Sequence, residues 1–158
     1  MASTTPILVA MLLATTGCYF SSSPKLIQVP KGAVIEIYEV VPTPANNTKP
    51  AADPATGKPI LLLTPPLIVI GDIDTIGFDA NRDQPGQPML LINLTTGGAQ
   101  KMLAATTNPT ATHLALIVNG QVVSVPKIVT PIQGSMVVTG GSGNKAAFDN
   151  ACQMFAGK

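Results

Sequence analysis

The sequence predicts an α+β domain, an antiparallel β-sheet with two helices on one face. Three observations carry that prediction. Apolar runs of strand length recur along the chain, and several alternate with polar residues at the period of two that marks a half-buried strand. Asn119-Gly120 stands between two such runs; it is the strongest short-range hairpin signal, because a type I′ turn needs φ > 0 at both central positions. Two stretches carry helical spacing instead, one after Thr95-Thr96-Gly97-Gly98 and one near the C-terminal end. The resulting order, β–β–α–β–β–β–α, packs as helices segregated to one face of an antiparallel sheet.

The N-terminal stretch stands apart from that domain. Residues 6–17 (PILVAMLLATTG) are apolar but too few to span a bilayer, which is the form of a signal-peptide core. They end in Thr15-Thr16-Gly17-Cys18, which resembles the lipobox of bacterial lipoproteins, where the Cys thiol is diacylated. Gly17 and Cys18 fit that pattern. Thr15 stands where Leu is usual, and no Lys or Arg precedes the apolar core. The expected organisation is a signal peptide over residues 1–18 with Cys18 as the lipidation site, a flexible tether over 19–32, and one domain over 33–158. A Cys18–Cys152 disulfide is the competing reading, since these are the only two cysteines. Two cysteines so far apart support neither a metal site nor a C-x-x-C redox motif.

Within the domain, residues 33–41 (AVIEIYEVV) alternate and predict a strand. Residues 42–59 are rich in Pro, Ala, Asn and Thr without a large hydrophobe, so they predict a mobile loop unable to offset its ordering entropy. Apolar runs at 60–63 and 67–70, split by Pro65-Pro66, supply at least one short strand. Residues 74–82 and 88–95 predict a hairpin around the turn Gln84-Pro85-Gly86-Gln87. A helix over 98–106 turns Met102 and Leu103 inward, with a Thr hydroxyl available to cap it, and Asn108-Pro109 ends it. After the Asn119-Gly120 hairpin, residues 136–139 make a last strand. Residues 142–156 make a last helix whose buried stripe is Ala147, Phe148, Ala151, Cys152 and Phe155.

The same residues exclude several functions. Nine basic and eight acidic residues leave a net charge of +1, too little to steer toward nucleic acid or an anionic membrane. Aromatics are 4% of the chain and Trp is absent, which removes the stacking platforms that single strands and sugars use. Asp79-x-Asn81-x-Asp83 opens like an EF-hand loop but carries Gln84 in place of the required Gly and Leu90 in place of the bidentate Glu. Asp72 and Asp74 could pair as carboxylates, yet no His or Lys lies near them in sequence, so a solvated edge is expected. His113 is the sole histidine and has no second ligand at metal spacing. The stretch from Gly140 to Lys145 precedes a helix but matches neither phosphate-loop pattern, and its plain role is a turn with Ser142 as N-cap. No Gly-x-Ser-x-Gly elbow occurs. The expectation is therefore a non-catalytic protein with no catalytic residue, no metal, no cofactor and no small-molecule substrate.

Gly97-Gly98-Ala99-Gln100-Lys101-Met102, then Thr106, then residues 114–140 (LALIVNGQVVSVPKIVTPIQGSMVVTG) resemble the head subdomain of the first periplasmic (P1) domain of SecD, the Sec translocon accessory family. The family pattern is a "GA" helix ending in Thr, "AIVLDG-V-SAP-I", and "I-GG---ITG" before a helix. Ala115 to Val118, Gly120, Val122, Ser124, Pro126, Ile128, Ile132, Gly134 and Val138 to Gly140 stand at its positions. Gly71-Asp72-Ile73 and Phe78-Asp79 resemble the segment leading into the head's first hairpin, and residues 35–40 the strand before it. Asn119 replaces the family's Asp, which keeps the turn and drops a charge. What the resemblance implies is the fold and a polypeptide-binding surface. Proton-driven pulling is not implied, because no span follows the leader.

The combined expectation is a membrane-anchored envelope lipoprotein, periplasm-facing, whose SecD-head-like domain binds an exported polypeptide or an envelope complex. Its lipid on Cys18 reaches the membrane, and Tyr19 after the Cys favours the outer one. The alternative is a permanent accessory subunit of an envelope assembly. Exposed sheet edges are the natural contact surface, the strand holding Pro126 among them, because Pro is tolerated only at an edge.

Overall fold

The computed structural model describes residues 25–80, 88–107, 110–139 and 145–155. Among them are nine strands and two helices: β1 (Lys25–Gln28), β2 (Ile35–Val41), β3 (Thr48–Ala52), β4 (Pro59–Leu63), β5 (Ile73–Ala80), β6 (Pro88–Leu94), α1 (Thr96–Thr107), β7 (His113–Val118), β8 (Gln121–Ser124), β9 (Ser135–Thr139) and α2 (Lys145–Phe155). A single 3-10 turn, Ile70–Asp72, leads into β5. The fold is α+β, as the alternation and the two helical stretches require.

The strands form two antiparallel sheets, not one. Sheet A has the order β1-β5-β6-β9 and sheet B the order β3-β4-β2-β7-β8. Register sorts the side chains. Ile27, Ile76, Ile92 and Met136 lie in one row across sheet A. Ile35 and Ile37 pair with Val118 and Leu116 in sheet B. These inner rows meet in the main core, which Met102 of α1 and Phe148, Ala151 and Phe155 of α2 complete. Phe155 also stacks on Phe78 with ring centroids 5.8 Å apart. The side chains of Ala147 and Cys152 lie outside the described residues.

The β7–β8 connection is the type I′ hairpin expected: Asn119 has φ 49 and Gly120 φ 81. The Asn119 amide does more than tolerate the turn. Its oxygen accepts the Val34 N–H at 2.9 Å and its nitrogen donates to the Met154 sulfur at 3.3 Å, tying the turn to the start of β2 and to α2.

Residues 42–59, expected to be a mobile loop, are corrected by the structure. They contain β3, which pairs with β4 over five residue pairs from Thr48↔Leu63 to Ala52↔Pro59. The reason lies outside the segment itself. Ala51 of β3 and Ile60 of β4 pack on a second apolar cluster of Tyr38, Leu62, Ala115 and Ile117 on the other face of sheet B. The hairpin thus gains from tertiary burial what its own composition lacks. Its tip is set by Asp53, whose carboxylate accepts the Ala55 N–H at 2.9 Å and the Thr56 hydroxyl at 2.6 Å.

Helix α1 begins where Thr95 caps it, its hydroxyl accepting the Gly98 N–H at 3.2 Å. Its buried face is Gly98, Met102 and Thr106, a strict i, i+4, i+8 row. Met102 faces inward as expected, whereas Leu103 is only half-buried. Several expectations lie outside the described residues: Cys18 and the first part of the tether, the turn at 84–87, Asn81 and Asp83, Asn108-Pro109, and Ser142 with the glycines beside it.

Candidate functional site: a groove between two strand edges

Among the described residues each sheet ends in a strand with one unpaired side, and two of these ends line one cavity. In sheet A the last strand is β9, which pairs only with β6. In sheet B it is β8, which pairs only with β7. The chain between them, residues 125–134, is held at defined points. The Pro126 carbonyl accepts the Leu114 N–H at 2.9 Å, and the Ile128 N–H donates to the Thr112 carbonyl at 2.9 Å. The Ile132 N–H donates to the Thr106 hydroxyl at 2.9 Å, and the Gly134 carbonyl accepts the Leu94 N–H at 2.8 Å. Gly134 has φ 84, which a side chain would resist.

A groove follows from this layout. One part, a cavity of about 240 Å³, lies between Val123–Pro126, Thr139 and the β3–β4 tip at Asp53, Pro54 and Ala55. The other, about 300 Å³, lies between residues 126–133, Leu114 and β9 residues Ser135, Met136 and Val137. Pro126 lines both, and both touch β9, the first at Thr139 and the second at Ser135 to Val137. Val129 on one rim is 83% exposed and Val137 on the other 54%, so both rims offer apolar surface to solvent.

The sequence of β9 is SMVVT, with Met136 and Val138 buried and Ser135, Val137 and Thr139 exposed. It carries no charge, no proline and no register shift, the devices that usually blunt a strand edge. An unblunted edge can accept one further strand through main-chain hydrogen bonds.

The strand of Pro126 is an edge, as the proline implied, but β8 stops at Ser124 and Pro126 lies just past it. Val123, two residues earlier, is a core side chain at 3% exposure. Replacing it would break packing before it tested any contact.

The structure also places the other residues weighed in the sequence. His113 opens β7, its Nδ1 hydrogen-bonded to the Thr112 hydroxyl at 2.8 Å. Asp72 and Asp74 do not act together. Asp74 is exposed, whereas Asp72 is 8% exposed and ion-paired with Lys101 at 2.8 Å. The expectation of a solvated edge for Asp72 is therefore corrected; its cation comes from α1, far along the chain. Its carboxylate also accepts the Val69 N–H at 3.1 Å, and its carbonyl the Thr95 N–H at 2.9 Å. Burial by itself would raise the Asp72 pKa, but the hydrogen bond from Lys101, that from Val69 and the Lys101 charge together hold it below the ordinary value. No group of three or more His, Cys, Asp or Glu side chains is placed to hold a metal ion among the described residues. Nor is any helix among them long and apolar enough to cross a membrane.

Two interleaved antiparallel sheets and two helices make a small α+β domain with cavities beside an open strand edge. The chain belongs to the family of the SecDF P1 head subdomain, whose model matches residues 46–158. Two solved structures are similar. One is from work on SecDF, a membrane component that enhances protein export, with a TM-score of 0.50, 22% identity and coverage of 73% of this chain and 59% of that one. The other is SecDF in its super-membrane-facing form, with a TM-score of 0.50, 21% identity and coverage of 70% of this chain and 17% of that one. This chain therefore spans only part of either SecDF chain. No curated protein matches it.

Proposed function

We propose that this protein is a non-catalytic polypeptide-binding module of the bacterial cell envelope, and that it holds an extended segment of an exported protein along β9. The observation that carries this reading is the groove between two unpaired strand edges, with an uncharged strand as one wall. A segment added there would bond through its backbone, which is indifferent to sequence, while Val129 and Val137 favour apolar or small side chains. Such tolerance suits a protein that handles many chains. Membership of the SecDF P1 head family supports a role in protein transport.

We further infer that the N-terminal stretch anchors the domain to a membrane. Cys18 is the acylation site, and more than one chain on it anchors the domain firmly. Of the tether expected over residues 19–32, residues 25–28 are β1 of sheet A and Val29 packs on the main core. Residues 19–24 are thus left to join Cys18 to the domain on the periplasmic side, the outer membrane being favoured by Tyr19. Sedimentation of the native chain and a Cys18→Ser variant with membranes tests the anchor. Loss of membrane association in the variant supports it, and equal association refutes it.

The groove is tested with a fluorescein-labelled decapeptide of alternating Val and Ser. Val137→Lys puts a charge on an exposed position of the edge, so fold stability should stay within about 0.5 kcal/mol of native. Peptide anisotropy should rise with the native protein and fall by at least tenfold in affinity with the variant, as expected for a blunted edge. Equal affinity would exclude β9 as the binding edge.

A further inference from the structure

The β3–β4 hairpin combines internal order with a short main-chain attachment, its side-chain seat being the second cluster, where Leu62 of β4 is 1% exposed. Within itself it is well tied: five pairs along the ladder, Asp53 organising the tip, and the Thr64 N–H and hydroxyl both donating to the Asn47 carbonyl, at 2.7 and 2.8 Å, at its base. Its ladder to the rest of sheet B is only two pairs long, Val40↔Leu62 and Val41↔Leu61. A stiff unit on a short ladder is one that can open as a whole, lifting Leu62 off Tyr38, Ala115 and Ile117 as it does so.

What closes it is a polar latch. Lys49 of β3 lies 3.9 Å from the centroid of the Tyr38 ring and donates to the Tyr38 hydroxyl at 2.7 Å. That hydroxyl in turn donates to Glu36 at 3.2 Å. Tyr38 is 3% exposed and belongs to the second apolar cluster, so the latch sits over the floor that the hairpin covers. The tip of the same hairpin, Asp53 to Ala55, forms the wall of the groove opposite Thr139.

We propose that the β3–β4 hairpin is a flap that hinges on its two-pair ladder, is latched by Lys49 on Tyr38, and closes over one end of the β9 groove. This rests on the reading of that groove as a polypeptide site. Closed, the flap confines the end near Thr139 to an extended chain with small side chains. Open, it joins the apolar floor of Tyr38, Ala115 and Ile117 to the groove and admits bulky ones. The flap thus governs both entry and release of the bound segment.

Hydrogen exchange read by mass spectrometry on the full chain tests the flap without any ligand. Amides of residues 48–63 should exchange faster than those of β2 and β7 in the native protein. Lys49→Met, which keeps the aliphatic stem, should speed the hairpin amides roughly fivefold, the loss expected for one net hydrogen bond, and leave β2 and β7 unchanged. A bismaleimide bridge between Ala55→Cys and Val125→Cys, in a Cys18→Ser, Cys152→Ser background, should slow both hairpin exchange and association of the Val–Ser decapeptide at least tenfold. Hairpin amides exchanging in step with β2 and β7, in native and Lys49→Met proteins alike, overturn the flap whatever the peptide does. If the hairpin opens on its own but the decapeptide binds neither the native nor the Lys49→Met protein, the groove reading fails and takes the flap's gating role with it.

Discussion

Gly97 and Gly98 are neighbours in the first turn of α1, and replacing each with Ala should move stability in opposite directions. At Gly97 nothing lies within 4 Å of an added Cβ, and the residue is exposed. Ala is the better helix former, so Gly97→Ala should stabilise by up to about 1 kcal/mol. At Gly98 the added methyl would run into the Asp72 carbonyl oxygen, 2.9 Å from Asp72 Cβ and 3.2 Å from its carbonyl carbon. Those atoms cannot swing aside. The same carbonyl accepts the Thr95 N–H that seats the helix cap, and the Asp72 carboxylate is held by Lys101. Overpacking a tight site costs about 1–3 kcal/mol, and a backbone obstacle places this case toward the upper end. After the helix gain is subtracted, Gly98→Ala should destabilise by about 1–2 kcal/mol, or roughly 2–4 °C in Tm per kcal/mol for a chain of this size. Urea unfolding followed by circular dichroism measures both variants with a common slope. If Gly98→Ala is as stable as Gly97→Ala, the seating of α1 on Asp72 is wrong.

Three further outcomes are expected. Because the Asp72 pKa is lowered in the fold, its contribution is complete above the ordinary carboxyl range and is lost as pH falls through the lowered value; the stability gap between native and Asp72→Asn should therefore narrow on going from about pH 7 to about pH 3, and a constant gap would refute the ionised pair. Glu39 has its pKa raised by burial, so its ionised form opposes folding as pH rises through that value; Glu39→Gln should be more stable than native at neutral pH and lose that advantage in acid. Thr106→Val keeps the shape of a buried side chain but orphans the Ile132 N–H, which should cost about 1–3 kcal/mol and speed exchange at Ile132.

How legible these features are in the sequence depends on how local their causes are. The Asn119-Gly120 hairpin, the Thr95 cap and the Phe148–Phe155 face follow from neighbours a few residues away, and the structure has them. The division into two sheets does not follow so, because alternation fixes which face a side chain takes and not which strand lies beside it. β3 is illegible for the same reason: its burial comes from Leu62 of the partner strand and from Tyr38, Ala115 and Ile117 of β2 and β7, none of them within the segment itself. Asp72 looked solitary because its partner, Lys101, is 29 residues away. An edge near Pro126 was readable from the proline. The uncharged β9 edge facing it was not, since edge status belongs to the sheet and not to the strand.

The strand orders have a consequence for where this domain can be cut. The chain enters sheet A with β1, leaves it for β2 to β4, returns for β5 and β6, crosses to β7 and β8, and comes back with β9. Neither sheet is a continuous stretch of sequence: sheet B is completed by β8 before β9 closes sheet A. A fragment starting at residue 46, where the family match begins, would lack β1 and also β2, the middle strand of sheet B. It would leave β4 and β7 with no strand between them and remove Ile35 and Ile37 from the main core. The smallest autonomous unit is therefore longer than the segment by which the family is recognised.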